Sequence, residues 1–123
     1  MKIEVSNGEI ADKLTIIEIK KERINDPVKL ANLEKEFKVL DEAVSRIIDK
    51  QHPLYRELYE INCQLWDIED HIRDLERKKM FNNDFIETAR SVYFTNDKRS
   101  EVKRKINDLT GSDFTEEKSY EAY

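Results

Sequence analysis

One set of side chains in the middle of the chain combines residue types that could bind a ligand. Asn62, Trp66, Glu69 and Arg73 follow one another at steps of four, three and four, which places them on one face of an α-helix. One interpretation is that this face lines a cavity between helices that binds a ligand. The alternative is an ordinary helix surface on which Glu69 and Arg73 form an exposed ion pair.

Arg90 and Arg99 lie on a later predicted helix and could face these side chains across a cavity between helices. With Arg73 they could bind an anionic group through paired hydrogen bonds. We expect Arg73 to be enclosed between the two helices, because it follows Trp66 by seven residues and so lies on the same face.

Acidic residues three apart offer a different chemistry, since carboxylates on facing helices can hold magnesium, as in all-α nucleotide pyrophosphatases. Three such pairs occur here, namely Glu57 with Glu60, Asp67 with Asp70, and Glu9 with Asp12. Their order and separation do not match that arrangement well, and a chain with 27 acidic residues produces such pairs by chance. His71 with Asp67 and Asp74 is most simply a solvated face. We therefore expect no metal site, and without a Gly-rich phosphate loop or a nucleophile elbow we expect no cofactor.

The polar side chains belong to the longest helical pattern of the chain, from Leu54 to Lys79. Its apolar residues recur at alternating steps of four and three, namely Leu54, Leu58, Ile61, Leu65, Ile68, Ile72 and Leu75. Another helix is predicted from Pro27 to about Lys50. The short His52-Pro53 connection between the two favours an antiparallel hairpin.

The first helix is predicted to start near Asn7, because Ser6 and Glu9 have capping-box spacing. After a break at residues 82–84, another helix runs toward Gly111, which suits a left-handed helix end. We expect Thr95-Asn96-Asp97 to interrupt it. Residues 112–123 form a polar tail whose aromatic residues, Phe114, Tyr120 and Tyr123, predict that it docks and covers part of the polar face.

Composition places the chain in the all-α class: 123 residues with two glycines and two prolines, 40% charged and 38% hydrophobic. We predict one domain, residues 1–123, in which an N-terminal helix and one or two C-terminal helices pack on the long hairpin. The net charge of −5 argues against nucleic acid as a partner. With no membrane-spanning run, no signal-peptide pattern and a single cysteine, Cys63, the expected location is the cytoplasm.

Three stretches of sequence resemble a family of small uncharacterised helical proteins from bacteria and marine bacteriophages, known only as a domain of unknown function. The stretches are residues 6–16, residues 89–99 from Ala89-Arg90-Ser91-Val92-Tyr93 to Thr95-Asn96-Asp97-Lys98-Arg99, and residues 116–120, Glu116-Glu117-Lys118-Ser119-Tyr120. The resemblance implies no activity. It implies that a set of polar positions belongs to the family pattern, as a site or as an interhelical network: Asp12, Lys13, Arg90, Asn96, Asp97, Arg99 and residues 116–120.

We therefore expect a non-enzymatic binding protein, with an anionic small molecule or a protein as partner. The candidate ligand-binding residues are Asn62, Trp66, Glu69, Arg73, Arg90, Asn96, Asp97 and Arg99. The alternative is a magnesium-dependent enzyme acting on a phosphorylated small molecule. A homodimer is expected because Ile16, Ile19 and Ile48 have no evident partners within one subunit.

Overall fold

The computed structural model describes residues 1–123 and contains four α-helices and no strand. The helices are α1 (Asn7–Arg23), α2 (Pro27–Ser45), α3 (Pro53–Arg77) and α4 (Asn83–Thr110). This confirms the all-α class. None of the four helices is both long and apolar enough to cross a membrane.

Local capping interactions set most of the helix ends where the sequence predicts them. The Ser6 hydroxyl accepts a hydrogen bond from a backbone N–H in the first turn of α1, and the Asp26 carboxylate accepts two at the start of α2. His52 Nδ1 and Asn82 Oδ1 do the same for α3 and α4. Gly111 ends α4 in the left-handed region, at a φ of 65°.

Two predicted boundaries are wrong. Helix α2 ends at Ser45 instead of near Lys50, because the chain turns there while Ile48 still reaches the core, so the apolar spacing continues past the helix. Helix α4 runs without a break through Thr95-Asn96-Asp97. These residues have cap-forming side chains, but Thr95 is buried and Asp97 binds the tail instead of a helix N-terminus.

The helices pack as two antiparallel hairpins, α1 with α2 and α3 with α4, and α1 also packs against both helices of the second hairpin. A long antiparallel hairpin is therefore present, but it consists of α3 and α4. The expected pairing of the Pro27 helix with the Leu54 helix is wrong, because α2 and α3 have no close backbone approach. The partner of α2 is α1, where Lys21 lies 3.6 Å from the centroid of the Phe37 ring and pairs with Glu34.

One cluster of buried side chains joins the two hairpins. It consists of Ala11, Leu14, Val44, Ile48, Tyr55, Leu58, Ile61, Val102 and Ile106. Ile19 is also buried, whereas Ile16 is half-buried. Ile19 and Ile48 thus find partners within one subunit, so they give no support to a dimer.

Helix α1 and the end of α4 touch through their backbones at Gly8. The Gly8 N–H donates to Asn107 Oδ1 at 2.6 Å. A Cβ atom at Gly8 would lie 2.5 Å from the Lys103 carbonyl oxygen. Only glycine permits this approach, which fixes the position of α1 along α4.

Candidate functional site

A groove of about 420 Å³ lies where α1, α3 and α4 meet. Its apolar wall consists of Ile16 from α1, Leu65 and Ile68 from α3, and Val92 from α4. Six of the eight predicted ligand-binding residues also line it: Asn62, Trp66, Glu69, Arg73, Asn96 and Arg99. The volume falls within the range of small-molecule sites.

A network of buried polar side chains lies behind the groove. Asp12, which is 1% exposed, accepts hydrogen bonds from Arg99 Nε at 2.8 Å, from Arg99 Nη2, and from Asn62 Nδ2 at 2.9 Å. The Asn62 amide also donates to the Thr15 hydroxyl at 2.8 Å. The hydrogen bond to Asp12 raises the pKa of Arg99 above its ordinary value, although burial opposes the shift. Arg99 is therefore a fixed cation at the inner end of the groove.

Arg99 keeps part of its guanidinium available to a ligand. Its Nε and Nη2 atoms bond to Asp12, so Nη1 is left without a protein partner. The Asn96 side chain lies one turn away on α4, lines the same groove and makes no hydrogen bond within the protein. These free donors can bind a carboxylate, phosphate or carbonyl oxygen.

The outer end of the groove is open to solvent. Arg73 Nε donates to Glu69 Oε1 at 2.7 Å, and the Arg73 side chain is 69% exposed. The expected enclosure of Arg73 between α3 and α4 is wrong, because its side chain is exposed and pairs with Glu69 of its own helix. Ile16 is the only α1 residue that lines the groove. Asp70 lies beside the pair of Arg73 and Glu69 and has no ionic partner in the protein.

The other two predicted site residues, Arg90 and Asp97, lie outside the groove. Arg90 Nη1 donates to Glu87 at 3.1 Å, and its guanidinium lies 5.8 Å from the centroid of the Phe94 ring. Asp97 accepts hydrogen bonds from Lys118 Nζ and the Tyr123 hydroxyl. That the six residues in the groove bind a ligand stays a prediction.

The tail lies along α4 and does not cover the groove. The Glu116 carboxylate accepts hydrogen bonds from the Ser6 hydroxyl and from Asn107 Nδ2, the latter at 3.3 Å. Burial raises the pKa of Glu116, but the hydrogen bonds outweigh it and the net pKa is lowered. The Tyr123 ring packs 4.8 Å from the Phe94 ring. The tail is thus held at both ends of its path.

Three of the six residues in the acidic pairs are neutralised by basic side chains, and the other three, Glu57, Glu60 and Asp70, are exposed and form no ion pair. Glu9 pairs with Lys103 at 2.6 Å, Asp12 with Arg99, and Asp67 with Arg23. No group of three or more histidine, cysteine, aspartate or glutamate side chains is placed to hold a metal ion. His71 lies 3.0 Å from Asp84 of α4, and Asp74 pairs with Lys78 instead of lying beside His71.

Sequence reasoning named Asp12 as a polar position of the family pattern but did not predict its buried pair with Arg99, and it missed Asp70 as a groove residue. A signal for Asp12 was present: Asp12, Thr15, Ile16 and Ile19 share the spacing of one helix face. An acid in register with apolar positions predicts a buried ionic or hydrogen-bonded partner. No comparable signal singles out Asp70, since many acids on α3 face solvent.

Comparison with known proteins gives a family but no activity. No curated protein and no solved structure matches the chain. The profile of DUF6165, a family of unknown function, matches residues 1–123. That match covers the polar network, the groove and the tail together, and the chain therefore belongs to this family of unknown function.

Proposed function

We propose that this chain is a non-enzymatic binding protein of the cytoplasm whose groove takes a small, partly apolar molecule. The observation that carries the proposal is the Nη1 atom of Arg99, which forms no hydrogen bond within the protein. Asp12 fixes this guanidinium with two hydrogen bonds on one side, while the other side faces a groove that also contains the unbonded Asn96 amide. A fixed donor loses little conformational freedom when a ligand binds.

The walls of the groove support binding in preference to catalysis. Trp66, Leu65 and Val92 supply apolar contact area, and Asn96 and Arg99 supply hydrogen-bond donors. The magnesium-dependent alternative draws no support from the geometry, because Glu9, Asp12 and Asp67 each bind a lysine or an arginine.

The groove proposal can be tested with the only tryptophan of the chain as reporter, since Trp66 lines the groove. A thermal-shift screen of nucleotides, sugar phosphates, amino acids, short peptides and divalent ions should find a compound that raises the unfolding temperature by mass action. The same compound should change Trp66 fluorescence.

Two variants then locate the binding site. Asn96→Ala should reduce both responses, whereas Lys35→Gln, at an exposed position of α2 outside the groove, should leave both unchanged. A screen without hits, or hits that are insensitive to Asn96→Ala, would overturn the proposal.

The second part of the proposal is a homodimer formed through the outer face of α4. Tyr93 and Phe94 are 44% and 39% exposed there. Arg90 and Asp97 lie on the same face, equally far from the midpoint between the two aromatic residues. Two antiparallel copies of this face would place each Arg90 opposite the partner's Asp97, as a symmetric interface requires. Lys118 and Tyr123 of the tail also bond to Asp97, so the tail forms part of this face, and each Asp97 oxygen keeps a second lone pair for the partner's Arg90.

A further inference from the structure

The charged side chains of the groove indicate which charges a ligand must carry. Behind and along it lie three carboxylates, those of Asp12, Glu69 and Asp70, and two guanidinium groups, those of Arg73 and Arg99. The groove therefore has a net negative charge, and a purely anionic ligand would increase it. This argues against the expectation of an anionic small molecule and favours a ligand that carries a cation as well.

The Arg99 guanidinium, whose Nη1 forms no hydrogen bond within the protein, and the Asp70 carboxylate, which has no ionic partner, lie at opposite ends of the groove. Asp12 and Asp70 differ in their partners: Asp12 is satisfied by Arg99 and Asn62, while Asp70 has no ionic partner. Arg99 and Asn62 both donate to Asp12, so Arg99 lies at the level of Asn62. Asp70 follows Asn62 by eight residues on α3, so the two ends are separated by roughly 12 Å along the helix axis.

We infer that the groove binds an elongated zwitterion, with its carboxylate on Arg99 and Asn96, its ammonium group on Asp70, and its apolar body against Trp66. This inference rests on the proposed function and adds the class of ligand. An extended peptide spans at most about 3.3–3.6 Å per residue, so a peptide of three residues with free termini matches the distance. A linear ω-amino acid of similar length has the same chemistry.

Four probes separate the contributions of the two ends, with Trp66 fluorescence and isothermal titration as readouts. They are a Gly-Leu-Gly tripeptide with free termini, its N-acetylated form, its C-amidated form, and ω-aminooctanoate. We expect the free tripeptide to bind about tenfold more tightly than either blocked form, because each block removes a charged hydrogen-bonding group.

The ω-amino acid distinguishes the two kinds of zwitterionic ligand, a peptide and a linear amino acid. If it binds as tightly as the free tripeptide, charge separation alone defines the ligand. If it binds much more weakly, the peptide bonds contribute and the ligand is a peptide. Both outcomes support a zwitterion site.

A substitution at Asp70 tests the assignment of the ammonium end. Asp70→Asn should weaken binding of the free tripeptide about tenfold and leave the N-acetylated peptide unchanged. Glu60→Gln, an exposed acid of α3 outside the groove, is the matched control and should change neither affinity. Both positions are exposed, so both variants should fold.

Two results would contradict the zwitterion assignment. N-acetylated peptide binding as tightly as free peptide, or no measurable binding of any probe, would overturn the zwitterion assignment. The proposed function would survive either result if another compound in the broader screen still required Asn96. The proposed function would be overturned only if that screen also found no compound whose binding requires Asn96.

Discussion

Replacing Arg99 with glutamine tests the network behind the groove. The substitution leaves the Asp12 carboxylate buried with Asn62 as its remaining side-chain donor. Removal of one partner of a buried ion pair costs about 3–5 kcal/mol in the free energy of unfolding. Because the Arg99 side chain is 29% exposed, water can reach the site, and we expect about 3 kcal/mol.

The matched control is Arg73→Gln, which removes an exposed arginine from the same groove. Its ion pair with Glu69 is solvent-exposed, so the loss should be at most about 0.5 kcal/mol. Urea denaturation measures both variants. With a denaturant slope of about 1–3 kcal/mol per molar, a loss of about 3 kcal/mol in Arg99→Gln should lower the midpoint by roughly 1–3 M.

A second substitution separates loss of the pair from loss of packing. Asp12→Asn combined with Arg99→Gln removes the unpaired charge, so the double variant should be more stable than Arg99→Gln alone by about 1 kcal/mol or more. Equal midpoints for Arg99→Gln and Arg73→Gln would refute the argument, since the Asp12 carboxylate would then not depend on its cation.

Four further outcomes are expected. Gly8→Ala should destabilise the protein by about 1–3 kcal/mol in urea denaturation, because the new methyl group collides with a backbone carbonyl of α4, and a gain in stability would contradict the close approach. Docking of Tyr123, measured as NMR contacts between its ring and Phe94, should be lost as the pH rises from 10.0 toward about 12. The hydrogen bond to Asp97 raises the pKa of Tyr123 to about 12, and so it stabilises docking only while the phenol is protonated. Tyr123→Phe should not show this loss. The same docking should weaken as the pH falls below 3.8, because hydrogen bonds from Lys118 and Tyr123 lower the pKa of Asp97. Sedimentation at micromolar concentration should show a dimer that Arg90→Glu weakens; a compact monomer in the unmodified protein contradicts the interface.

The parts of the fold that the sequence predicts correctly depend on neighbouring residues. Ser6, Asp26 and Gly111 each act within one turn of their own position, so their side chains or backbone freedom identify a helix end directly. The pairing of helices depends on which apolar faces fit together. The apolar stripe of α2 would fit either neighbouring helix. The short connection from α2 to α3 predicted that these two helices pair, but α2 packs against α1.

The groove could be predicted in part, again because the prediction depends on residues that are close in sequence. The spacing of Asn62, Trp66, Glu69 and Arg73 places them on one side of α3, and the structure brings Arg99 to them. Spacing does not reveal how far α1 extends over α3, which decides that Arg99 is partly buried and Arg73 exposed. It also does not reveal that Asp97 points to the tail.

The central position of α1 has a consequence for the order of folding. Each hairpin joins helices that are adjacent in sequence, and its contacts close short loops. The contacts between the hairpins join distant residues: Tyr55 bonds to Glu18, Arg99 to Asp12 and Asn107 to Gly8. Loop closure makes such contacts slow to form. We therefore expect two hairpins to form early and to dock in a late step, so loss of the Asp12 pair should speed unfolding while the refolding rate stays nearly constant.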